Sequence, residues 1–282
     1  MPDPTQTLID LALSEDIGSG DVTSKYFVDA ERQTQGMVTV RSTGVISGVE
    51  LAARVFKQVD NNLEVECLIQ DGSKVSEGAI LIRVKGSARS ILTAERTALN
   101  FLQHLSGIAS LTARYVEEVA DTSVRILDTR KTTPGYRQLE KQAVLDGGGT
   151  NHRMGLHDRA MVKDNHLVAE GGLEALQQAI HQLNRDHPQV EVELECDSLD
   201  QVREFLQLDG VDYLLLDNMS PEEMRDAVEL RGQQPKPLLE ASGGIQLGRL
   251  KEVAASGVDF ISVGSLTHSA PALDIGLDFI SA

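Results

Sequence analysis

The chain has 282 residues, 41% of them hydrophobic, enough for one large α/β domain or two ordinary ones, each with a sizeable core. A formal net charge of -17 speaks against nucleic acid as a partner, because backbone phosphates call for a broad basic face. No apolar run approaches the roughly 18 residues of a membrane span, the start is not basic-then-apolar, and Cys67 and Cys196 stand far apart without metal-ligand spacing. The composition thus reads as a cytoplasmic protein with no membrane span, disulfide framework or zinc site.

The first element is a helix over residues 4–15, where Leu8, Ile9, Leu11, Ala12 and Leu13 form an apolar stripe. DIGSGDVTS breaks it with two glycines and reads as a turn or loop. From Gln35 the pattern alternates: GMVTVRS, LEVECLI and AILIRV read as strands of a small sheet, with VELAARVFKQV (49–59) as a helix among them. The segment IQDGSKVSEGAILIRVKG resembles the β-sandwich of biotinyl and lipoyl carriers, but no lysine sits on a hairpin tip for attachment. Residues 90–122 read as one long helix, with Gly107 as a kink and the domain boundary inside it.

Beyond Ser123, short apolar strands alternate with helical patterns. SVRILD, AMVKD, VEVELE, VDYLLLD, PLLEAS and VDFISVG are the strands; helices follow near 138–145, 173–184, 199–207, 221–231 and 247–255. Right-handed crossovers then require a parallel sheet covered by helices. The strand ends favour a barrel over an open sheet, since nearly every strand delivers a polar group or glycine to the same end: Arg130 and Lys131, Lys163, Glu195, Asp217, Ser242-Gly243-Gly244 and Gly264-Ser265. In VEVELEC the alternation aims Glu191, Glu193 and Glu195 into the barrel and Val192, Leu194 and Cys196 outward, under helices. The predicted architecture is α/β: an incomplete β/α barrel of about six parallel strands over 109–272, preceded by an α+β sandwich domain over 1–108. LDIGLDFISA alternates like a strand, and 273–282 is expected to return to the first domain.

The stretch from Ser123 to His166 concentrates the positive charge of an otherwise acidic chain. It holds Arg125, Arg130, Lys131, Arg137, Lys141, Arg153, Arg159 and Lys163 together with His152, His157 and His166. Arg130, Lys131 and Lys163 lie just past apolar strands instead of on a polar helical stripe, so an anion site taking more than one negative group is expected. The glycine turns ASGG (241–244) and SVGS (262–265) offer backbone N–H groups to a phosphate. Glu195 and Asp217 suit Mg²⁺ or sugar hydroxyls, or else pair with Lys163 and Arg153. Arginines suit two-point recognition of a carboxylate. Lys163 has a competing reading as a Schiff-base nucleophile of a phosphosugar aldolase.

These residues carry a resemblance. EDIGSGDVTS, AERTALNFLQHLSGIAS, DTRKTTPGYRQLEKQAVLDGGGTNHRMGL, VKDNH, VELECDS, LLLDNM and EASGGI, in that order and nearly end to end, resemble quinolinate phosphoribosyltransferase; the TRKTTPG and GGGxNHR blocks are its specific part. The resemblance implies phosphoribosyl transfer from 5-phosphoribosyl-1-diphosphate to quinolinate with loss of the 2-carboxylate, giving nicotinate mononucleotide in NAD biosynthesis. It implies that Arg96, Thr129, Arg130, Lys131, His152 and Arg153 face quinolinate. Lys163 would meet the diphosphate donor, and Glu195 and Asp217 the ribose and Mg²⁺, directly or through water. Ser242, Gly243, Gly244, Val263, Gly264 and Ser265 would hold the 5′-phosphate, and His268 would close the site. Lys131, Lys163, Glu195 and Asp217 would carry the catalysis. A homodimer is implied, with Arg96 reaching the neighbouring active site. A same-fold paralogue of the nicotinate phosphoribosyltransferase or ModD type, acting on another ring, is the alternative.

Overall fold

The structure, a computed structural model, describes residues 3–163 and 172–280. Asp164 to His166 of the VKDNH block and the last two residues of the closing strand motif lie outside them. The chain forms two compact units, and both are discontinuous. One comprises residues 1–113, 133–148 and 266–282; the other comprises 114–132 and 149–265.

The first unit opens with α1 (Pro4–Ile17), capped by the Asp3 side chain on Thr5 N. Gly18 (φ 52°) and Gly20 (φ 132°) end it in backbone that other residues rarely adopt. Where the sequence reads as a loop, a short helix α2 (Val22–Phe27) then starts, because Asp21 accepts from Ser24 N at 2.9 Å and caps it. The four-stranded antiparallel sheet contains β1 (Gln33–Val40), β3 (Glu64–Cys67), β5 (Ile80–Ser87) and β12 (Ile275–Phe279), in the order β12-β1-β5-β3. The C-terminal strand does pair with β1, Val38 opposite Leu277. Two small antiparallel strands, β2 (Gly44–Val45) and β4 (Lys74–Val75), are too short to leave a periodic signal.

Helix α3 (Val49–Val59) buries Leu51, Ala52, Val55 and Phe56, the apolar side of a strongly amphipathic sequence. Helix α4 (Ala88–Glu118) gives most of its length to the first unit and its last turn to the second. The structure gives Gly107 in α4 a different reason from a kink: a Cβ there would lie 2.2 Å from the Pro271 carbonyl oxygen, so the position requires glycine for close approach of backbone.

Helix α5 (Arg137–Asp146) departs from the linear division predicted above. The sequence places it among the barrel helices, yet it belongs to the first unit. Side chains explain this. Tyr136 stacks on Phe101 with centroids 5.8 Å apart, His104 Nε2 lies 2.9 Å from Glu140 Oε1, and Ser47 Oγ donates to Asp146 Oδ2 at 2.6 Å.

The second unit is built on a six-stranded parallel sheet. Its strands are β6 (Arg125–Leu127), β7 (Arg159–Val162), β8 (Glu191–Cys196), β9 (Tyr213–Asp217), β10 (Leu238–Ser242) and β11 (Phe260–Ser262). The order is β6-β11-β10-β9-β8-β7, so the first strand of the unit lies beside the last and the opening falls between β6 and β7. This is the incomplete barrel that the βα repetition implied. Helices α6 (Leu173–Asp186), α7 (Leu199–Phe205), α8 (Pro221–Arg231) and α9 (Leu250–Ala254) follow successive strands. The capping box Ser220–Glu223 starts α8 and Ser198 caps α7, which fixes where each strand ends and its loop must turn. Outward residues Val192, Leu194, Leu214, Leu216, Leu239 and Ala241 are buried, as strands covered by helices require.

Candidate active site

One cavity of about 500 Å³ opens at the C-terminal ends of these strands. Its walls follow the two-residue period of the sheet: Met161 from β7, Glu195 from β8, Leu215 and Asp217 from β9, Glu240 and Ser242 from β10, Ser262 from β11. Thr129, Arg130, Lys131, His152, Arg153 and Lys163 complete the rim, with Asn218, Gly243 and Gly244. Eleven of the residues predicted to bind substrate therefore meet around one space.

Local hydrogen bonds explain how they get there. After β6, Thr129 Oγ1 accepts from Lys131 N at 3.0 Å and Thr132 N donates to Arg130 O at 2.9 Å, a tight turn that projects two cations at the strand end. The segment carrying His152 and Arg153 runs beside β6. Thr150 N donates to Ile126 O, and the buried Asp128 carboxylate accepts from His152 N at 2.8 Å. Arg153 donates to Arg159 O at 3.1 Å, which orients its guanidinium.

Electrostatics mark this end of the cavity as an anion site. Burial, and next to it the Arg130 guanidinium, pull the Arg153 pKa below its usual value. Two like charges forced together by the fold are relieved by a bound anion, and arginines offer a carboxylate two parallel N–H donors. Across the rim Lys163 pairs with Glu195. Asp217 accepts from Asn218 Nδ2 at 2.8 Å.

Phosphate suits the opposite wall. Gly243 (φ 101°) and Gly244 (φ 57°) turn their backbone into the left-handed region after β10, the geometry that clusters N–H groups around an anion. A side chain at Gly243 would meet Asn218 Oδ1 at 2.2 Å, and Asn218 itself holds φ 56° while donating its N–H to Ser242 O. The turn is thus built by two loops together.

Other expectations are redrawn. Val263 is buried and its N–H donates to Leu127 O at 2.9 Å, so that donor is committed to the sheet. Val263, Gly264 and Ser265 are not among the cavity-lining residues. Arg96 on α4 and His268 belong to the first unit and do not line the cavity either. The cationic stretch also divides. Arg125 lies 4.5 Å over the Phe260 ring, Arg159 lies 4.0 Å over the Tyr213 ring with Glu191 on its guanidinium, and Arg137 and Lys141 sit on α5. Only Arg130, Lys131, Arg153 and Lys163 of those eight cations reach the cavity.

His152 differs most from a substrate-facing cation. Burial lowers its pKa, while the carboxyl groups of Glu193 and Glu240 beside Nε2 raise it. Against this, the Arg153 main-chain N–H points at Nδ1 from 2.7 Å. A main-chain N–H can only donate, so Nδ1 accepts and the single ring proton sits on Nε2, facing the two carboxylates. We assign the neutral Nε2–H form, because the amide donor cannot be withdrawn. Glu240, fully buried on the inward face of β10, is a site residue the sequence reading passed over. Its one signal is a charge inside the apolar run PLLEAS, two residues before Ser242. The donor atoms of His152, Glu193 and Glu240 lie within 4.8 Å of one another. They do not suit a metal, since a ligating Nε2 needs its proton moved to Nδ1, where a donor already stands.

A barrel mouth lined by two arginines, a glycine turn and carboxylates has the make-up of an enzyme site suited to a phosphorylated, polyanionic substrate. The chain belongs to the quinolinate phosphoribosyltransferase family: residues 21–106 match the family's N-terminal domain and residues 108–278 its C-terminal domain. It is 41% identical to the nicotinate-nucleotide pyrophosphorylase (carboxylating) of Mycobacterium leprae, covering 98% of this chain and 97% of that protein. The fold matches the nicotinate-nucleotide pyrophosphorylase of Francisella tularensis with a TM-score of 0.91 at 36% identity, over 99% of this chain and 96% of that one. NadC from Streptococcus pyogenes gives 0.90 at 39%, over 100% and 99%.

Proposed function

We propose that the protein transfers the phosphoribosyl group of 5-phosphoribosyl-1-diphosphate to the ring nitrogen of quinolinate, releasing pyrophosphate and CO2 and leaving nicotinate mononucleotide. The observation that carries this reading is the meeting of Arg130 and Arg153 in the same cavity as the Ser242–Gly244 turn. A diacid ring fits the first and a sugar phosphate the second. Asp217 and Glu195 lie on the strands between β7 and β10, where the ribose of such a donor would bridge them.

The chemistry asks little of a nucleophile. Breaking the bond from ribose C1 to the diphosphate leaves positive charge on the sugar and negative charge on the leaving group. Asp217 stabilises the first, and Lys131 and Lys163 the second. The ring nitrogen of quinolinate supplies the electron pair that closes on C1. The ring, now a pyridinium, holds the electron pair left at C2 when the 2-carboxylate departs as CO2, and a proton replaces it there. Arg130 and Arg153 hold the ring through its carboxylates during both events.

Mg²⁺ suits this site by donor chemistry, since it favours carboxylate oxygens together with substrate phosphates. Asp217 and Glu195 are the residues that would hold it, directly or through water or ribose; when bound it neutralises charge on the diphosphate. Chelation should abolish turnover and added Mg²⁺ restore it; full activity in excess chelator would remove the metal from this account.

A homodimer with Arg96 completing the neighbouring site is the assembly we favour. Supporting it, α1 and α2 expose Leu11, Val22, Tyr26 and Phe27, the last 85% accessible, more apolar surface than a lone unit needs to show. The two free cysteines suit a reducing compartment, which the cytoplasm provides. Mixing inactive Arg96→Ala and Arg130→Ala proteins should restore about a quarter of the activity through hybrid dimers with one intact site. No recovery after subunit exchange would show that Arg96 acts within its own chain or not at all.

The direct test supplies donor and Mg²⁺ with quinolinate or with nicotinate, in separate reactions. Mononucleotide from quinolinate alone is expected. Product from nicotinate alone would move the function to a same-fold paralogue, and borohydride trapping of an aldehyde substrate on Lys163 would move it to aldolase chemistry.

A further inference from the structure

At the carboxylate-binding end of the cavity, His152 and Glu240 of its lining form with Glu193 a cluster to which the reaction as described gives no task. Glu193 and Glu240 are both fully buried on the inward side of β8 and β10, the two strands that flank β9, and His152 is almost so. His152 Nε2 stands 3.2 Å from Glu193 Oε2 and 3.5 Å from Glu240 Oε2. Among the described residues neither Glu240 oxygen accepts a hydrogen bond of good geometry. A carboxyl group buried in this way destabilises the fold relative to an apolar residue of the same size. The neighbouring strand positions, Leu239 and Ala241, are apolar and buried.

Its placement gives Glu240 a task. The Glu193 carboxylate is shared: Oε1 lies 3.3 Å from the imidazole Nε2, and Oε2 faces Arg159 Nη1 at 3.6 Å. Glu240 closes the other side. The ring is then held at Nε2 by two carboxyl groups and at Nδ1 by the Arg153 amide. We propose that Glu240 is a positioning residue: by seating His152 it sets the main chain at Arg153, and through it the guanidinium that grips the acidic ring. This rests on the reading of Arg153 as a substrate contact. A neutral carboxyl serves as well as a charged one. Burial, and after it the charge of Glu193, raise the Glu240 pKa toward that neutral form, which glutamine copies in shape and in its accepting oxygen.

The test compares Glu240→Gln with Glu240→Leu, measuring KM for quinolinate and for the phosphoribosyl donor separately, with Tm alongside. In the Leu variant the KM for quinolinate should rise about tenfold, the scale of a misaligned two-point contact, while the donor KM stays within about twofold. Its Tm should hold or rise, because a buried carboxyl has been removed. The Gln variant should recover most of the loss. An unchanged quinolinate KM in the Leu variant overturns the proposal. So does a rise in both KM values with a fallen Tm, or a Gln variant as impaired as Leu. Should the Leu variant fail to fold, Glu240→Met takes its place in the same comparison. Wild-type protein making no mononucleotide from quinolinate would instead defeat the functional reading, and that is seen before any variant is compared.

Discussion

Arg130→Ala should lower kcat/KM for quinolinate by about 10³-fold, roughly 4 kcal/mol of lost interaction with the carboxylates of the ring. The estimate follows from geometry and charge together. Arg130 stands at the end of β6 on a turn fixed by Thr129 and shares the cavity with Arg153, whose pKa is lowered by burial and, after it, by the charge of Arg130. With one of two guanidiniums gone, a diacid loses a charge-assisted pair inside a half-enclosed cavity, where such contacts are stronger than in water. The same substitution removes a like-charge repulsion and changes a half-buried residue of the cavity rim, not of the apolar core, so Tm should stay within about 2 °C of the parent or rise slightly. Steady-state kinetics and a thermal melt decide this. A large fall in Tm would show that Arg130 supports the fold, and a kcat/KM within tenfold of the parent would remove it from the substrate contacts.

Asp217→Asn is the second large effect. Asparagine keeps the size of the side chain and an oxygen able to accept from Asn218 Nδ2, the bond seen at 2.8 Å, so the end of β9 should keep its shape. Only the negative charge is removed. If Asp217 stabilises the positive charge that grows on ribose as the diphosphate leaves, kcat should fall by about 10²–10³-fold while the quinolinate KM changes little. A rise in KM with kcat intact would place Asp217 among the binding groups instead.

Much of this site is legible in the sequence because strand periodicity and strand ends are simple geometry. The alternation in VEVELEC was enough to separate Glu193 and Glu195 from the outward Val192 and Leu194, and the buried outward residues agree. Arg130, Lys131, Lys163, Asp217 and Ser242 needed only the rule that strand ends converge at a barrel mouth. What periodicity does not encode is which side chains meet across the chain. Nothing local tells that α5 will pack through Tyr136 and Glu140 on α4, so its unit was assigned by order instead of by contact. A cap overrode a glycine break at α2, where Asp21 restarts the helix two residues after a loop signal. Charge counts misled over Arg125 and Arg159, whose guanidiniums lie on aromatic rings, and over His152, whose ring nitrogens face its own chain. Glu240 shows the converse: a single charge in an apolar strand was the signal, and its buried partners come from β8 and from the segment beside β6.

The chemistry as a whole turns on one quantity, the ratio of CO2 to pyrophosphate released when the protein meets 2-carboxyl-labelled quinolinate, 5-phosphoribosyl-1-diphosphate and Mg²⁺. Ribosylation of the ring nitrogen is what allows the 2-carboxylate to leave, so the two products should appear in equal amounts, together with nicotinate mononucleotide and never without the donor. Labelled CO2 in the absence of the donor, or pyrophosphate released with no CO2, would contradict the account.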